Sequence, residues 1–146
     1  MMEMQYCERA ARMNTPIPQP RPSYSALIID DNWFNRDIFR IALESAGYVV
    51  TETDSGTEGL NILGQQTFNL LILDLQMPNV DGKTVLRTVR ANDTHKKMHI
   101  VVVTANAHMA TSDVDAMADH VMYKPINVIE FSEFVRRIKT MSVLTP

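Results

Sequence analysis

Leu70-Leu71-Ile72-Leu73-Asp74-Leu75-Gln76-Met77-Pro78-Asn79-Val80-Asp81-Gly82 is the stretch that decides the fold. Four apolar residues run without a polar break and stop at Asp74. A run of that length, bounded by turn signals, fits a strand buried on both faces of a parallel sheet. Pro78 cannot donate to a ladder, so the strand has ended before it. Asp81-Gly82 then marks a turn ahead of the next helical pattern. Asp74 is thereby expected at the carboxyl end of a central strand, where open α/β sheets carry their ligand chemistry.

Working outward, the chain alternates strand and helix patterns from Ser23. Ala26–Ile29, Tyr48–Thr53, Asn69–Asp74, His99–Thr104 and Val121–Tyr123 read as strands. The first helix follows Asp30-Asp31, with Phe34, Ile38, Ile41, Ala42 and Ser45 expected inward at steps of three and four, and Gly47 closing it. Ser55 and Glu58 form a capping-box pattern that opens a second helix to about Gln65. Lys83–Arg90 is a third, with Val85, Leu86 and Val89 inward. A fourth falls within 107–118 around Ala110, Val114, Met117 and Ala118. The last spans 127–141, with Phe131, Phe134, Val135, Ile138 and Met141 inward. Residues 91–98 read as a polar loop. Five strand–helix units predict a doubly wound, flavodoxin-like parallel sheet of order 2-1-3-4-5, with helices on both faces.

The remaining residues bound the domain. Pro16, Pro18, Pro20 and Pro22 alternate with other residues, so 1–22 is expected to be an extended, solvated tail. The domain proper is expected over 23–142, with 143–146 a short tail that leaves no room for an output domain. Met1, Met2, Met4 and Met13 leave the true start open.

Composition narrows the class. The 146 residues suffice for one domain with a full core. With 14 Lys and Arg against 17 Asp and Glu, the net charge of −3 argues against a nucleic-acid surface. One cysteine excludes an intrachain disulfide. No apolar run approaches the ~20 residues of a membrane span, and 1–13 lack a signal peptide's apolar centre, so a cytoplasmic location is expected. His95, His99, His108 and His120 lack metal-ligand spacing and read as loop and surface residues; the ten methionines read as core filler and start-region residues.

The predicted strand order gathers three carboxylates: Asp30 and Asp31 after strand 1, Asp74 after strand 3. Two such charges ~4 Å apart repel by about 4 kcal/mol at an effective dielectric of 20. A divalent cation relieves this, and hard oxygen ligands with open positions suit Mg²⁺. Asp31 and Asp74 are assigned as direct ligands, the backbone carbonyl of Gln76 as a candidate third, and Asp30 as acting through water. Thr104 and Lys124 end the next two strands over the same rim. Backbone N–H groups near Leu75 and Ala105 are further candidate donors there. With Asp74 as nucleophile, Mg²⁺, Lys124 and Thr104 would stabilise the charge on a transferring phosphoryl group. Pro125 is expected to hold Lys124 extended. Each signal alone has a bland reading, such as a cap, a turn or a solvated lysine; it is their order at successive strand ends that carries the assignment.

These motifs resemble response-regulator receiver domains. They stand here as Ile29-Asp30-Asp31-Asn32, Leu73-Asp74 through Asp81-Gly82, Val103-Thr104-Ala105-Asn106-Ala107 and Tyr123-Lys124-Pro125-Ile126, over about Ser23–Met141. Asp-Asp-Asn followed by Asn35-Arg36, and Thr-Ala-Asn-Ala, are most similar to receivers of multistep phosphorelays. The resemblance implies that Asp74 takes phosphate from a histidine kinase or histidine phosphotransfer protein. It further implies that the Thr104 position moves inward, and that the fourth helix, fifth strand and fifth helix form the output surface. Such a domain catalyses only its own phosphorylation and dephosphorylation. Gln76 and Asn106 match positions that border the attacking water in the family, and neither is acidic. Two departures fall on the output surface. Val121 stands where the family usually has an aromatic, with Tyr123 at the same strand parity. Twenty positions separate Thr104 from Lys124, a couple fewer than usual, without the common glycine before the last strand.

Other classes fit less well. Aspartyl phosphatases resemble this chemistry but generally place a second Asp two residues on, where Gln76 stands. A flavodoxin-like cofactor binder needs a phosphate-cradling loop after strand 1, where Asp30-Asp31 would repel phosphate. A receiver fold kept only as a scaffold would not need the acidic pair, Thr104 and Lys124.

Overall fold

The computed structural model describes residues 23–144, with side chains to Met141; the Pro-rich segment 1–22 lies outside the described residues. Five strands alternate with five helices: β1 (Tyr24–Ile29), α1 (Trp33–Ser45), β2 (Tyr48–Thr53), α2 (Gly56–Gln65), β3 (Leu70–Asp74), α3 (Gly82–Arg90), β4 (His99–Thr104), α4 (Ser112–Met117), β5 (His120–Tyr123) and α5 (Val128–Leu144). The sheet is parallel throughout, in the order β2-β1-β3-β4-β5. This is the expected flavodoxin-like architecture. The final helix runs to Leu144, two residues past the position at which the domain was expected to close.

Alternation along the central strands sorts the core into two layers. Ala26, Ile28, Leu70 and Ile72 face one layer with Phe39, Ala42 and Leu43 of α1 and Phe131, Val135 and Ile138 of α5. Leu27, Ile29, Leu71 and Leu73 face the other, with Leu63 of α2, Val85, Leu86 and Val89 of α3 and Val114 of α4. Every residue of β3 is buried, as an apolar run between two helical layers requires. Each fully buried Leu or Ile contributes about 1.5–3 kcal/mol, so β3 is the anchor from which Asp74 projects.

Several expected details are corrected. Helix α1 turns Phe39, Ala42 and Leu43 inward and leaves Phe34 and Ile41 exposed. Its sequence carries two apolar stripes, and helical spacing alone does not choose between them. On α5, Phe134 is partly buried and Met141 is exposed. His95 is buried in a 3₁₀ turn, Asp93–His95, rather than in an open loop. His99 stacks on His120 at 5.0 Å, and burial holds its imidazole below the ordinary range.

The fourth helix is six residues long, preceded by a 3₁₀ turn at Ala107–Met109. Helix α3 holds it from the side through residues spaced one helical turn apart. Lys83 Nζ donates to Thr111 Oγ1 at 3.1 Å, and Arg87 Nη2 to Asp113 Oδ2 at 3.2 Å. Arg90 Nη2 donates to Asp119 Oδ2 at 2.7 Å, and its Nε to the Met117 carbonyl at 2.6 Å.

Candidate functional site

Four loops at the carboxyl edge of the sheet build the site. After β1 the chain turns at Asp30-Asp31, and Asn32 caps α1 by accepting from Phe34 N at 2.9 Å and Asn35 N at 3.2 Å. Cap and acidic pair are thus different residues. After β3, Asp74 Oδ1 accepts from Gln76 N at 3.1 Å. Asp81 caps α3 through Thr84 N at 2.8 Å. Gly82 packs so closely beneath this turn that a Cβ there would lie 2.3 Å from the Asp74 carbonyl oxygen. Asn79, in the same loop, has φ 69°, a left-handed conformation that Asn tolerates.

The predicted carboxylates converge. Oxygens of Asp30, Asp31 and Asp74 lie within 4.8 Å of one another, with Asp30 and Asp74 buried and Asp31 exposed. Lys124 Nζ is 2.9 Å from Asp30 Oδ2 and 3.6 Å from Asp74 Oδ2. The lysine therefore leans on Asp30 first, a preference that residue spacing did not reveal. Burial pushes the Asp74 carboxyl up to about 6; Asp30 and Asp31 push the same way, while the Gln76 N–H and Lys124 pull it down.

Thr104 lies at the same rim, fully buried, with its hydroxyl held by its own loop: Oγ1 accepts from Asn106 N at 3.1 Å. Lys124 N donates to the Thr104 carbonyl at 2.9 Å, which ties the ends of β4 and β5 together. The Lys124–Pro125 bond is cis. Gln76 is exposed beside Asp74. Tyr123, which shares strand parity with Val121, is exposed at the sheet edge while Val121 packs against the core.

Arg36 also belongs to this rim. Its Nη1 donates to the Asp30 carbonyl at 2.8 Å, and its Nε lies 3.5 Å from Glu52 Oε1. The sequence pattern marked Asn35-Arg36 without assigning the arginine a contact.

The donor set is chemically suited to a hard divalent cation. Three carboxylates meet at one partly open point, and Asp31 on the exposed side leaves room for water or a phosphate oxygen.

With this arrangement at the sheet's edge, the chain matches the response regulator receiver domain family over residues 26–136. It belongs to that family and is a receiver domain of two-component signalling, a class of modules that in general signal rather than process external substrates. Among curated relatives, it is 29% identical over 114 residues to the polar-differentiation response regulator DivK of Brucella anthropi, covering 77% of this chain and 93% of that one. The structure is similar to response regulator TrrA of Thermotoga maritima, solved in complex with Mg²⁺–BeF (TM-score 0.70, 27% identity, 79% of this chain and 98% of the other). A CheY-like receiver from Methanospirillum hungatei shares the fold at TM-score 0.73 and 24% identity, over 82% and 97% of the two chains. Among the described residues, no helix is long and apolar enough to cross a membrane.

Proposed function

We propose that Asp74 is the phosphoacceptor of a histidine–aspartate phosphorelay, loaded in a Mg²⁺-dependent step by a histidine kinase or histidine phosphotransfer protein. The observation that carries this reading is the meeting of Asp30, Asp31 and Asp74 within 4.8 Å, with Lys124 reaching two of them. An oxygen of Asp74 attacks phosphorus in line. The P–N bond of the donor phosphohistidine breaks, and its electron pair leaves with the imidazole. A new P–O bond makes the acyl phosphate.

Asp31, Asp74 and the Gln76 carbonyl would hold the Mg²⁺, with Asp30 acting through water. An ion held there would supply positive charge toward the transferring phosphoryl group. Lys124 supplies a second positive charge, its Nζ 3.6 Å from Asp74 Oδ2. Ionised Asp74 is the nucleophile; Lys124 favours that form against the burial that opposes it, and a bound cation would act in the same direction. Thr104, at the end of β4, offers a buried hydroxyl at this rim. To donate to a phosphoryl oxygen its hydroxyl must give up the bond it donates to the Asn106 carbonyl at 3.3 Å, which links phosphorylation to the loop that enters α4. The surface of α4, β5 and α5 is the output face, and its partner is a protein of the same cytoplasmic relay. Self-phosphorylation and dephosphorylation are its only reactions.

The test is incubation with Mg²⁺ and acetyl phosphate. One acid-labile phosphate per chain is expected, absent in Asp74→Asn and absent with EDTA. Equal labelling of Asp74→Asn would remove Asp74 from the reaction.

A further inference from the structure

We propose that Arg36 is a positioning residue for the cation site: through the carbonyl of Asp30 it sets the direction in which Asp31 presents its carboxylate. The inference rests on the Mg²⁺ reading above and adds a residue to it.

Asp30 is held at every polar group it has. Its N–H donates to the Thr53 carbonyl at 3.2 Å. Its Oδ1 accepts from Asn32 N at 2.9 Å, and its Oδ2 from Lys124 Nζ at 2.9 Å. Its carbonyl accepts from Arg36 Nη1 at 2.8 Å. That last bond matters to its neighbour. The peptide unit is planar, so fixing the Asp30 C=O fixes the plane that carries the N–H and Cα of Asp31. Asp31 is the exposed member of the acidic trio, and its backbone direction governs where its carboxylate falls.

Arg36 is itself anchored. Its side chain is 16% exposed, and Glu52 on β2 accepts from it while also facing Arg40 at 3.5 Å. Glu52 pairs in register with Ile28, two residues before Asp30. A guanidinium offers donors in a rigid fork and serves carbonyl and carboxylate together; an ammonium does not span both in the same way. Helix α1, strand β2 and the acidic turn are thus joined by one side chain.

The sign of the effect separates this role from simple charge. Arg36 is a cation near three carboxylates, so removing its charge alone would strengthen binding of another cation. Removing a positioning contact does the reverse.

The experiment is Mg²⁺ titration of the full chain, read by calorimetry and by fluorescence of Trp33, the single tryptophan, two residues beyond Asp31. Arg36→Met is expected to raise the Mg²⁺ dissociation constant about tenfold, the low end of effects seen for groups that orient metal ligands. Arg36→Lys is expected to recover part of the loss. Arg40→Ala, which removes a neighbouring charge that also faces Glu52 but no contact to Asp30, is expected to bind as the parent does or slightly tighter. Binding by Arg36→Met equal to or tighter than the parent overturns the proposal. Should Arg36→Met not fold, Arg36→Lys decides alone: weaker binding at unchanged thermal stability supports positioning, and parental binding overturns it. A parent chain that binds no Mg²⁺ removes the underlying cation site itself, a failure distinct from parental affinity in the variants.

Discussion

Lys124 and Asp30, 94 residues apart in sequence, form a 2.9 Å ion pair at the sheet's carboxyl edge, and the same ammonium stands 3.6 Å from Asp74. The pair is almost wholly buried, with side-chain exposures of 17% and 1%. Removing one partner of such a pair leaves the other uncompensated, at a cost on the order of 3 kcal/mol. Lys124→Ala is therefore expected to destabilise the metal-free chain by about that amount, and by clearly less at saturating Mg²⁺. Urea unfolding with EDTA and with Mg²⁺ measures both; an equal loss in the two buffers would contradict it.

The raised pKa of Asp74 makes a prediction with a definite sign. Its carboxyl is at about 6 in the fold against 3.8 for the ordinary group. Between those values the native state binds more protons than the unfolded one, so metal-free stability falls as pH rises through that window. Asp74→Asn lacks the ionisation. It is expected to be more stable than the parent above pH ~6, by on the order of 2–3 kcal/mol, and to lose that advantage below pH ~4. Urea midpoints in EDTA at the two pH values give the answer; a gain independent of pH would refute the linkage.

Gly82 is expected to be intolerant of a methyl group. The added Cβ of Gly82→Ala would lie 2.3 Å from the Asp74 carbonyl oxygen and 2.5 Å from Leu75 Cα, both backbone atoms without rotamers to yield. Overpacking of this kind costs roughly 1–3 kcal/mol. The strain falls on the peptide that carries the nucleophile, so acetyl-phosphate labelling should drop by more than stability explains. Full labelling of a folded Gly82→Ala would show that the turn can shift without moving Asp74.

On the proposed reading, Asn106 and Gln76 occupy the positions that border the attacking water, and neither is a carboxylate. Asn106→Glu is expected to shorten the phosphoryl lifetime by roughly an order of magnitude, through general-base assistance to water. The substitution also removes the Asn106 Oδ1 cap on His108 N, so hydrogen exchange over 104–112 serves as the structural control. Unchanged dephosphorylation with an unchanged loop would count against this role.

Much of the fold was legible because strands and helices announce themselves by different periods. The ranges of β2 and β4 coincide with those expected at Tyr48–Thr53 and His99–Thr104. The face of α1 was not legible, because Phe34-Ile38-Ile41 and Phe39-Ala42-Leu43 both satisfy helical spacing; only the packing of Phe39 on Phe131, ring centroids 5.1 Å apart, selects one. His95 was misplaced because a polar segment hides how deeply one side chain inserts. At the site, strand order sufficed to gather Asp30, Asp31 and Asp74. It did not reveal that Lys124 would rest on Asp30, or that Arg36 would reach the Asp30 carbonyl. Those depend on side-chain reach across elements, which spacing along the chain does not encode.

The phosphoacceptor assignment is tested most directly by trapping. The chain is loaded with acetyl phosphate and Mg²⁺, the acyl phosphate is reduced with borohydride, and the modified residue is located by peptide sequencing. Conversion of Asp74 to homoserine, with Asp30 and Asp31 unchanged, is the expected result. Reduction at either member of that pair, or a stable phosphate elsewhere with Asp74 untouched, would contradict it.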